Sequence, residues 1–364
     1  MGTARTTRSS SDAAHEAAVG RAHRYVSVRR RGGALLTVAA LGVTLAACGS
    51  SDDDGDSGNS GDSAKAAATG TADAGAFPVE IKHSQGNLSL KAAPERVVAL
   101  SAMDLDAALS LGVTPVGAAK DPFGEKGVSP WLTGKLGSDT TLVNTTPDVS
   151  FEQIAALKPD LILATGDYAI SKNYAKLSQI APTLAPAKAA ADDSWQNRET
   201  RIGKVLGKEE AATKAVADTE ALIRKTADTY PELKGRTFSA SFAYSATQIA
   251  TIASPDDFAV KFLESLGLQV APALKGAEET ATKTQPGFLS PEQAGRITSD
   301  FTVIGFTSPQ VKNAVEKGPA FAKVKSTGAY TPVDTATITE LRNPSILGIP
   351  WLLEELTPSF KAVK

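Results

Sequence analysis

The chain has 364 residues, with 38 basic and 40 acidic side chains, three histidines and a single cysteine. So even a balance argues against a nucleic-acid partner and against an electrostatic hold on anionic lipid. Once an N-terminal region that reads as separate from the fold is set aside, about 290 residues remain, enough for two domains.

Residues 1–47 carry seven arginines and no lysine, with Arg29-Arg30-Arg31 shortly before the apolar run "ALLTVAALGVTLAA". That run, about 14 residues, is too short for the roughly 20 a membrane-spanning helix needs. A charged segment, a short apolar segment and small residues in this order read as a secretory signal. Val26 or Val28 would serve as a later start, and the arginines give only a weak hint of twin-arginine export. Leu45-Ala46-Ala47-Cys48 resembles the bacterial lipobox, which implies that Cys48 is diacylated and becomes the new N-terminus at the outer face of the cytoplasmic membrane. Residues 48–76 continue as Gly, Ser, Asp and Ala without a large apolar side chain, a composition expected of a flexible tether. Removing residues 1–47 takes away seven basic and two acidic residues and leaves 31 and 38. The tether holds six aspartates and Lys65, so the body keeps 30 against 32.

His15 and His23 leave with the signal, so His83 stands alone in the processed chain. One histidine and a lipidated cysteine cannot build a thiolate or multi-imidazole zinc or copper site. A Ser–His nucleophile would have to use His83, yet His83 sits in "PVEIKHSQGNLSL", which alternates like an edge hairpin. With no Gly-x-Ser-x-Gly elbow and no phosphate loop, the sequence is not expected to be an enzyme and calls for no cofactor. Any metal it handles must arrive already held by an organic chelator.

Beyond the hairpin, β-rich runs alternate with helical patterns, which signals α/β units with parallel sheets. "RVVAL" (96–100) reads as a strand, "DLDAALSLGV" as a helix and "PVGAA" as a second strand. "SFEQIAALKP" is a helix and "DLILAT" a strand; "RTFSASFAY" (236–244) opens a second series. The second series writes part of the first again. Ser150, Glu152, Gln153 and Asp160 fall on Ser290, Glu292, Gln293 and Asp300 without a gap. Both copies have the spacing of a capping box, and an acid in a first helical turn gains about 0.3–1 kcal/mol from the helix dipole. Between the series, residues 207–230 lack proline and internal glycine and read as one helix about 35 Å long. The expected architecture is two related Rossmann-like lobes, residues 77–206 and 231–364, joined by one long rigid helix with a ligand cleft between the lobes.

Secretion, a lipid anchor and two α/β lobes on a rigid helix resemble the substrate-binding proteins of ABC importers for ferric siderophores, haem and cobalamin. The likeness spans residues 78 to 360 and rests on "PERVVALSAMDLDAALSLGVTPVGAA", "SFEQIAALKPDLILAT", "SWQNRETRIGKVLGKEEAA" and "RNPSILGIPWLLEEL". It implies a monomer that captures a ferric siderophore, with haem or cobalamin as the alternative cargo, and hands it to a permease dimer driven by ATPase subunits. It also implies that Glu152 and Glu292 dock into arginine pockets on the two permease subunits. A sensor lipoprotein without a transporter would keep the fold and lose that requirement.

Ligands of parallel α/β lobes lie beyond the carboxyl ends of the strands. The post-strand loops offer Ser101, Met103, Lys120, Phe123, Asp167 and Tyr168 in the first lobe, and Trp195 and Arg198 before the linking helix. The second lobe offers Tyr244, Phe306 and Arg342, with Phe288 and Phe306 better read as core or lobe-interface residues. Aromatic faces stack on a large chelate, and guanidinium forks hold anionic oxygens. Two arginines and Lys120 are few cations for a catecholate complex, which favours a hydroxamate or mixed siderophore.

Overall fold

The computed structural model describes residues 72–274 and 287–364. The expected signal, Cys48 and most of the tether lie outside the described residues. No helix among the described residues is long and apolar enough to cross a membrane.

The alternating segment around His83 forms the predicted hairpin, β1 (Val79–His83) with β2 (Gly86–Leu90), antiparallel. Val79, Leu88 and Leu90 turn inward, and the His83 ring packs 5.4 Å from Tyr174. His83 is thus a packing residue, and burial beside Arg201 lowers its pKa.

The first sheet holds β3 (Val97–Ala99), β4 (Gly117–Ala119), β5 (Thr141–Val143), β6 (Leu161–Leu163) and β7 (Thr183–Leu184). Its order is β5-β4-β3-β6-β7 and every pairing is parallel. The chain winds from β3 to one edge and then returns to fill the other, so the order reverses between β3 and β6. A ligand crevice opens at such a reversal. The strands are short and almost wholly buried, as expected with helices on both faces. Those helices are α1 (Ala102–Ser110), α2 (Phe151–Ala156), α3 (Ile170–Ile180) and α4 (Trp195–Val205).

The linking helix is α5 (Glu209–Thr229), whose 21 residues give a length of about 31 Å. Its Ala212 packs with Ile202 and Val205 of the first lobe, whereas Ile223 packs with Phe262 and Leu263 of the second. One helix is therefore built into both cores.

The second sheet differs from the purely parallel expectation. β8 (Thr237–Ser245), β12 (Phe301–Phe306) and β13 (Ala329–Val333) run parallel, and β10 (Gln269–Val270) joins the start of β8 in parallel. β9 (Gln248–Ile252) folds back on β8, and β11 (Gly287–Leu289) pairs antiparallel with β9. β8 with its parallel neighbours thus reproduces the centre of the first lobe, while the hairpin replaces one of its edges. The second lobe is completed by α6 (Phe258–Ser265), α7 (Pro309–Glu316), α8 (Ala322–Ser326), α9 (Thr335–Arg342) and α10 (Gly348–Phe360). After α9 the chain turns back toward the first lobe. Leu347 and Trp351 pack on Leu105, Ala118 and Trp131, with the two indoles 5.1 Å apart.

The repeated aspartates do one job in both lobes. Asp160, just before β6, accepts from the backbone N–H groups of Glu95 (2.8 Å) and Arg96 (2.9 Å) at the entry to β3. Asp300, just before β12, accepts from the Thr237 N–H and hydroxyl at the start of β8, each at 2.8 Å. Each carboxylate fixes where two central parallel strands begin. Those bonds hold Asp300 below the usual carboxylate range, the Thr237 N–H contributing most.

Candidate functional site

The loops leaving β3 and β6 meet at the strand-order reversal. Ser101 caps α1, accepting from Asp104 N–H at 3.1 Å and donating to Asp104 Oδ2 at 2.7 Å. Asp104 is fully buried and reaches the other loop, where its Oδ1 accepts from the Thr165 hydroxyl and from Thr165 N–H (3.2 Å). Arg198 of α4 completes the cluster, donating to Thr165 Oγ1 (2.9 Å) and to the Ala190 carbonyl (3.3 Å), with Nη1 against Met103 Sδ. Burial pushes the Asp104 carboxyl up and the nearby Arg198 guanidinium opposes this; burial lowers Arg198, and Asp104 opposes that. At Gly166 any Cβ would strike the Ser101 side chain, so the two loops touch because glycine stands there.

This laced pair of loops floors a cavity of about 440 Å³, within the range of small-molecule sites. The first lobe supplies most of its wall: Met103, Val128, Trp131 and Leu142 deep inside, with Lys120, Phe123 and Tyr168 toward solvent. The second lobe supplies one face of α9, through Ala336, Thr339, Glu340 and Asn343. Tyr168 donates to Asn343 Oδ1 at 3.1 Å, which joins the lobes at the edge of the cavity. Phe123 and Tyr168 remain 58% and 59% exposed, an arrangement that leaves two aromatic faces free. The wall acids Asp121 and Asp167 are committed to shaping loops. Asp121 accepts from Phe123 N–H (2.8 Å) and the Ser129 hydroxyl (2.6 Å); Asp167 accepts from Ala169 N–H (2.7 Å) and the Asn173 amide (2.9 Å). Lys120 is exposed on the wall.

Of the residues named from the sequence, Lys120, Phe123, Tyr168, Ser101, Met103 and Asp167 come together around the cavity. Arg198 lies beneath the wall, 2% exposed, because it is bound to Thr165 and the Ala190 carbonyl, with the Asp104 charge nearby. Phe306 sits in the second lobe's core with Ile304 and Phe321, since the last residue of a central parallel strand is covered on both faces. Arg342 lines a neighbouring pocket of about 280 Å³, its Nε 3.6 Å from Asp257 and separated from the main cavity by Tyr168 and Asn343. Trp195 is half-buried and lines a groove beside α5 and α6. Tyr244 is exposed at the end of β8, edge-on to Phe242 at 4.7 Å, and does not line the cavity. Phe288 is 51% exposed on the sheet edge, not buried as its reading as core implied. Sequence reasoning missed Trp131 and the α9 face. The local signal for the latter was slight, since the face that lines the cavity, Ala336, Thr339, Glu340 and Asn343, is mostly polar and lies apart from the apolar Ile338 and Leu341.

Glu152 and Glu292 are both exposed and both fall in the first turn of a helix that leads into a central strand. The expected capping boxes divide. Ser290 and Gln293 form one, with Gln293 Oε1 accepting from Ser290 N–H at 3.2 Å, although the helix Pro291–Ile297 is 3₁₀ in type. In the first lobe Gln153 turns away to accept from Asn144 N–H at 2.9 Å, and Ser150 gives no side-chain cap. The glutamates are thus held in like positions by unlike local bonding. Hydrogen bonding to Ser290 lowers the pKa of Glu292.

Residues 97–296 match the family described as periplasmic binding protein. The chain belongs to that family. This periplasmic binding protein is 27% identical over 340 residues to YhfQ of Bacillus subtilis, named as an ABC transporter substrate-binding lipoprotein; the match covers 91% of this chain and 98% of YhfQ. It is 34% identical over 158 residues to the Fe(3+)-citrate-binding protein YfmC of Bacillus subtilis, covering 43% of this chain and 49% of that one. Among solved structures, PiaA of Streptococcus pneumoniae in complex with ferrichrome superposes with a TM-score of 0.65 at 26% identity, over 79% of this chain and all of PiaA. No cluster of three or more metal-ligating side chains occurs among the described residues of the binding protein.

Proposed function

We propose that this protein is the extracytoplasmic binding component of an ABC importer, capturing a ferric siderophore in the inter-lobe cavity and delivering it to the permease. The observation that carries the reading is a cavity between lobes, apolar in depth and rimmed by two exposed aromatic faces, in a chain of this family. Iron enters as cargo held by its chelator, and the protein contributes no catalytic step.

The charge on the wall favours the siderophore class. A polyanionic catecholate or citrate complex calls for several fixed cations. Among the described residues Lys120 is the cation on the wall, Arg198 is bound beneath it, and Arg342 pairs with Asp257 outside it. A ferric trihydroxamate carries no net charge, and stacking on Phe123 and Tyr168 with burial against Trp131 suits it. Cys48 would anchor the protein to the outer face of the cytoplasmic membrane, with residues 48–76 as tether and 77–206, 207–230 and 231–364 as lobe, linking helix and lobe. A monomer with Glu152 on one lobe and Glu292 on the other would read a two-fold permease.

Tryptophan quenching tests the reading, because Trp131 lines the cavity and Trp351 stacks on it. Ferrichrome is expected to quench saturably at sub-micromolar concentration, and iron-free chelator is not. Quenching by ferric citrate or a ferric catecholate, with none by ferrichrome, would overturn the hydroxamate assignment. No response to any ferric chelate would overturn the function.

A further inference from the structure

Behind the cavity, Asp106 of α1 and Glu340 of α9 meet through one serine. The hydroxyl of Ser345 lies within hydrogen-bond reach of Asp106 Oδ2 and 2.9 Å from Glu340 Oε1, and it accepts from Gly348 N–H at 3.1 Å. Asp106 Oδ2 also accepts from Trp131 Nε1 at 2.7 Å, and Glu340 Oε1 from Ser345 N–H at 2.8 Å. Asp106 is 0% exposed, Ser345 2% and Glu340 3%, and Asp106 Oδ1 is buried without a partner. A Cβ at residue 348 would collide with the Glu340 carboxyl and the Ser345 hydroxyl, so glycine there lets the cluster close.

A serine hydroxyl carries one hydrogen. It satisfies one carboxylate and leaves the second oxygen–oxygen contact without a proton. With both acids ionised, two anions and facing lone pairs would be enclosed in a buried interface, an arrangement that is strongly unfavourable. We infer that Asp106 and Glu340 hold one proton between them through Ser345, and that this proton joins the two lobes at the foot of the cavity.

The surroundings agree with a retained proton. Burial pushes Asp106 up to about 7 against the pull of the Ser345 and Trp131 hydrogen bonds; Lys135 opposes the rise and Asp121 adds to it. Glu340 is raised well above the usual carboxylate range by burial, then by the charges of Asp106 and Asp121. Glu199 of α4 also lies near Asp106, and burial raises it to about 8, with the Asp106 charge adding to the rise. Both members of the pair bind protons more tightly in the folded protein than in the unfolded chain. Their contribution to stability is complete below the ordinary carboxylate value and is lost as pH rises through the folded values, about 7 for Asp106. On release the proton passes to solvent, and the lobe contact loosens.

The test is infrared spectroscopy of the full-length protein, done in a Glu199→Gln background to remove the neighbouring acid. A protonated-carboxyl carbonyl band is expected at about pH 6 and its loss by about pH 9. Asp106→Asn and Glu340→Gln should each abolish the band, because one amide hydrogen replaces the shared proton. The thermal midpoint, which should fall across the same interval, should flatten in both variants. Absence of the band in the Glu199→Gln protein overturns the inference without any further variant. Persistence of the band in both single variants also overturns it, since that would mean two separate protons.

Discussion

The two copies of the Ser–Glu–Gln–Asp pattern differ in an instructive way. In both lobes the aspartate clamps the start of the central strand, through Glu95 and Arg96 in the first and Thr237 in the second. The glutamine does not keep its role: Gln293 closes a capping box, whereas Gln153 bonds to Asn144. The helix that follows is α-helical in one lobe and 3₁₀ in the other. A glutamate that only served its helix would be free to drift as these contacts have drifted. Both remain exposed in the first turn. The aspartate is held by folding, and the glutamates keep like positions without like contacts, as the proposed docking role requires.

Separating those two demands gives the largest expected effect. Glu152→Ala with Glu292→Ala should abolish ferric siderophore uptake in cells while ligand affinity stays unchanged and the thermal midpoint falls only slightly, by the loss of two helix-dipole contacts. Normal uptake in the double variant would return both glutamates to a local helix role. Next in size is a contact described for the first lobe. Arg198→Ala leaves Asp104 buried without its cation and should cost about 3–5 kcal/mol in urea unfolding. A loss below ~1 kcal/mol would show that the loops are laced by Thr165 alone.

The aspartate clamps come third. Asp160→Ala and Asp300→Ala should each cost about 1–3 kcal/mol, since each leaves backbone donors unmet at a strand entry. Unequal losses would break the equivalence of the lobes. Because Asp300 is held below its ordinary value, its contribution is present above that value and is lost as pH falls through the folded one. Asp300→Asn should therefore reduce the slope of the acid limb of a stability–pH curve. The smallest effect separates the glutamines. Gln293→Ala should cost about 0.5–1 kcal/mol through its cap, and Gln153→Ala should loosen residues 144–150 instead, as read by amide exchange.

Much of this arrangement was legible before any coordinates. Alternating apolar runs announced the α/β lobes, a proline-free stretch announced α5, and the rule that loops follow strands found Lys120, Phe123 and Tyr168. The same rule does not bring Arg198, Trp195, Tyr244 or Arg342 to the cavity, and Phe306 lies in the core, its other reading. The rule reports where a backbone emerges, not which way a side chain turns once a buried partner is available. Thr165, which Asp104 also holds, claims Arg198 from 33 positions away, and local sequence carries no trace of that contact. β9 was missed because "SATQIATI" contains no strong hairpin-turn residue. The α9 wall was missed because a helix can line a cavity along its side, away from any strand end.

Trp131 and Trp351 belong to different lobes and their rings lie 5.1 Å apart at 39°. Two indoles that close share their electronic excitation, and the oblique angle makes the coupling optically active. The protein therefore carries its own ruler across the lobe boundary. A paired positive and negative signal in ultraviolet circular dichroism should be present while the indoles hold this contact and collapse in Trp351→Phe. It would report on any change at that contact, without a label of any kind.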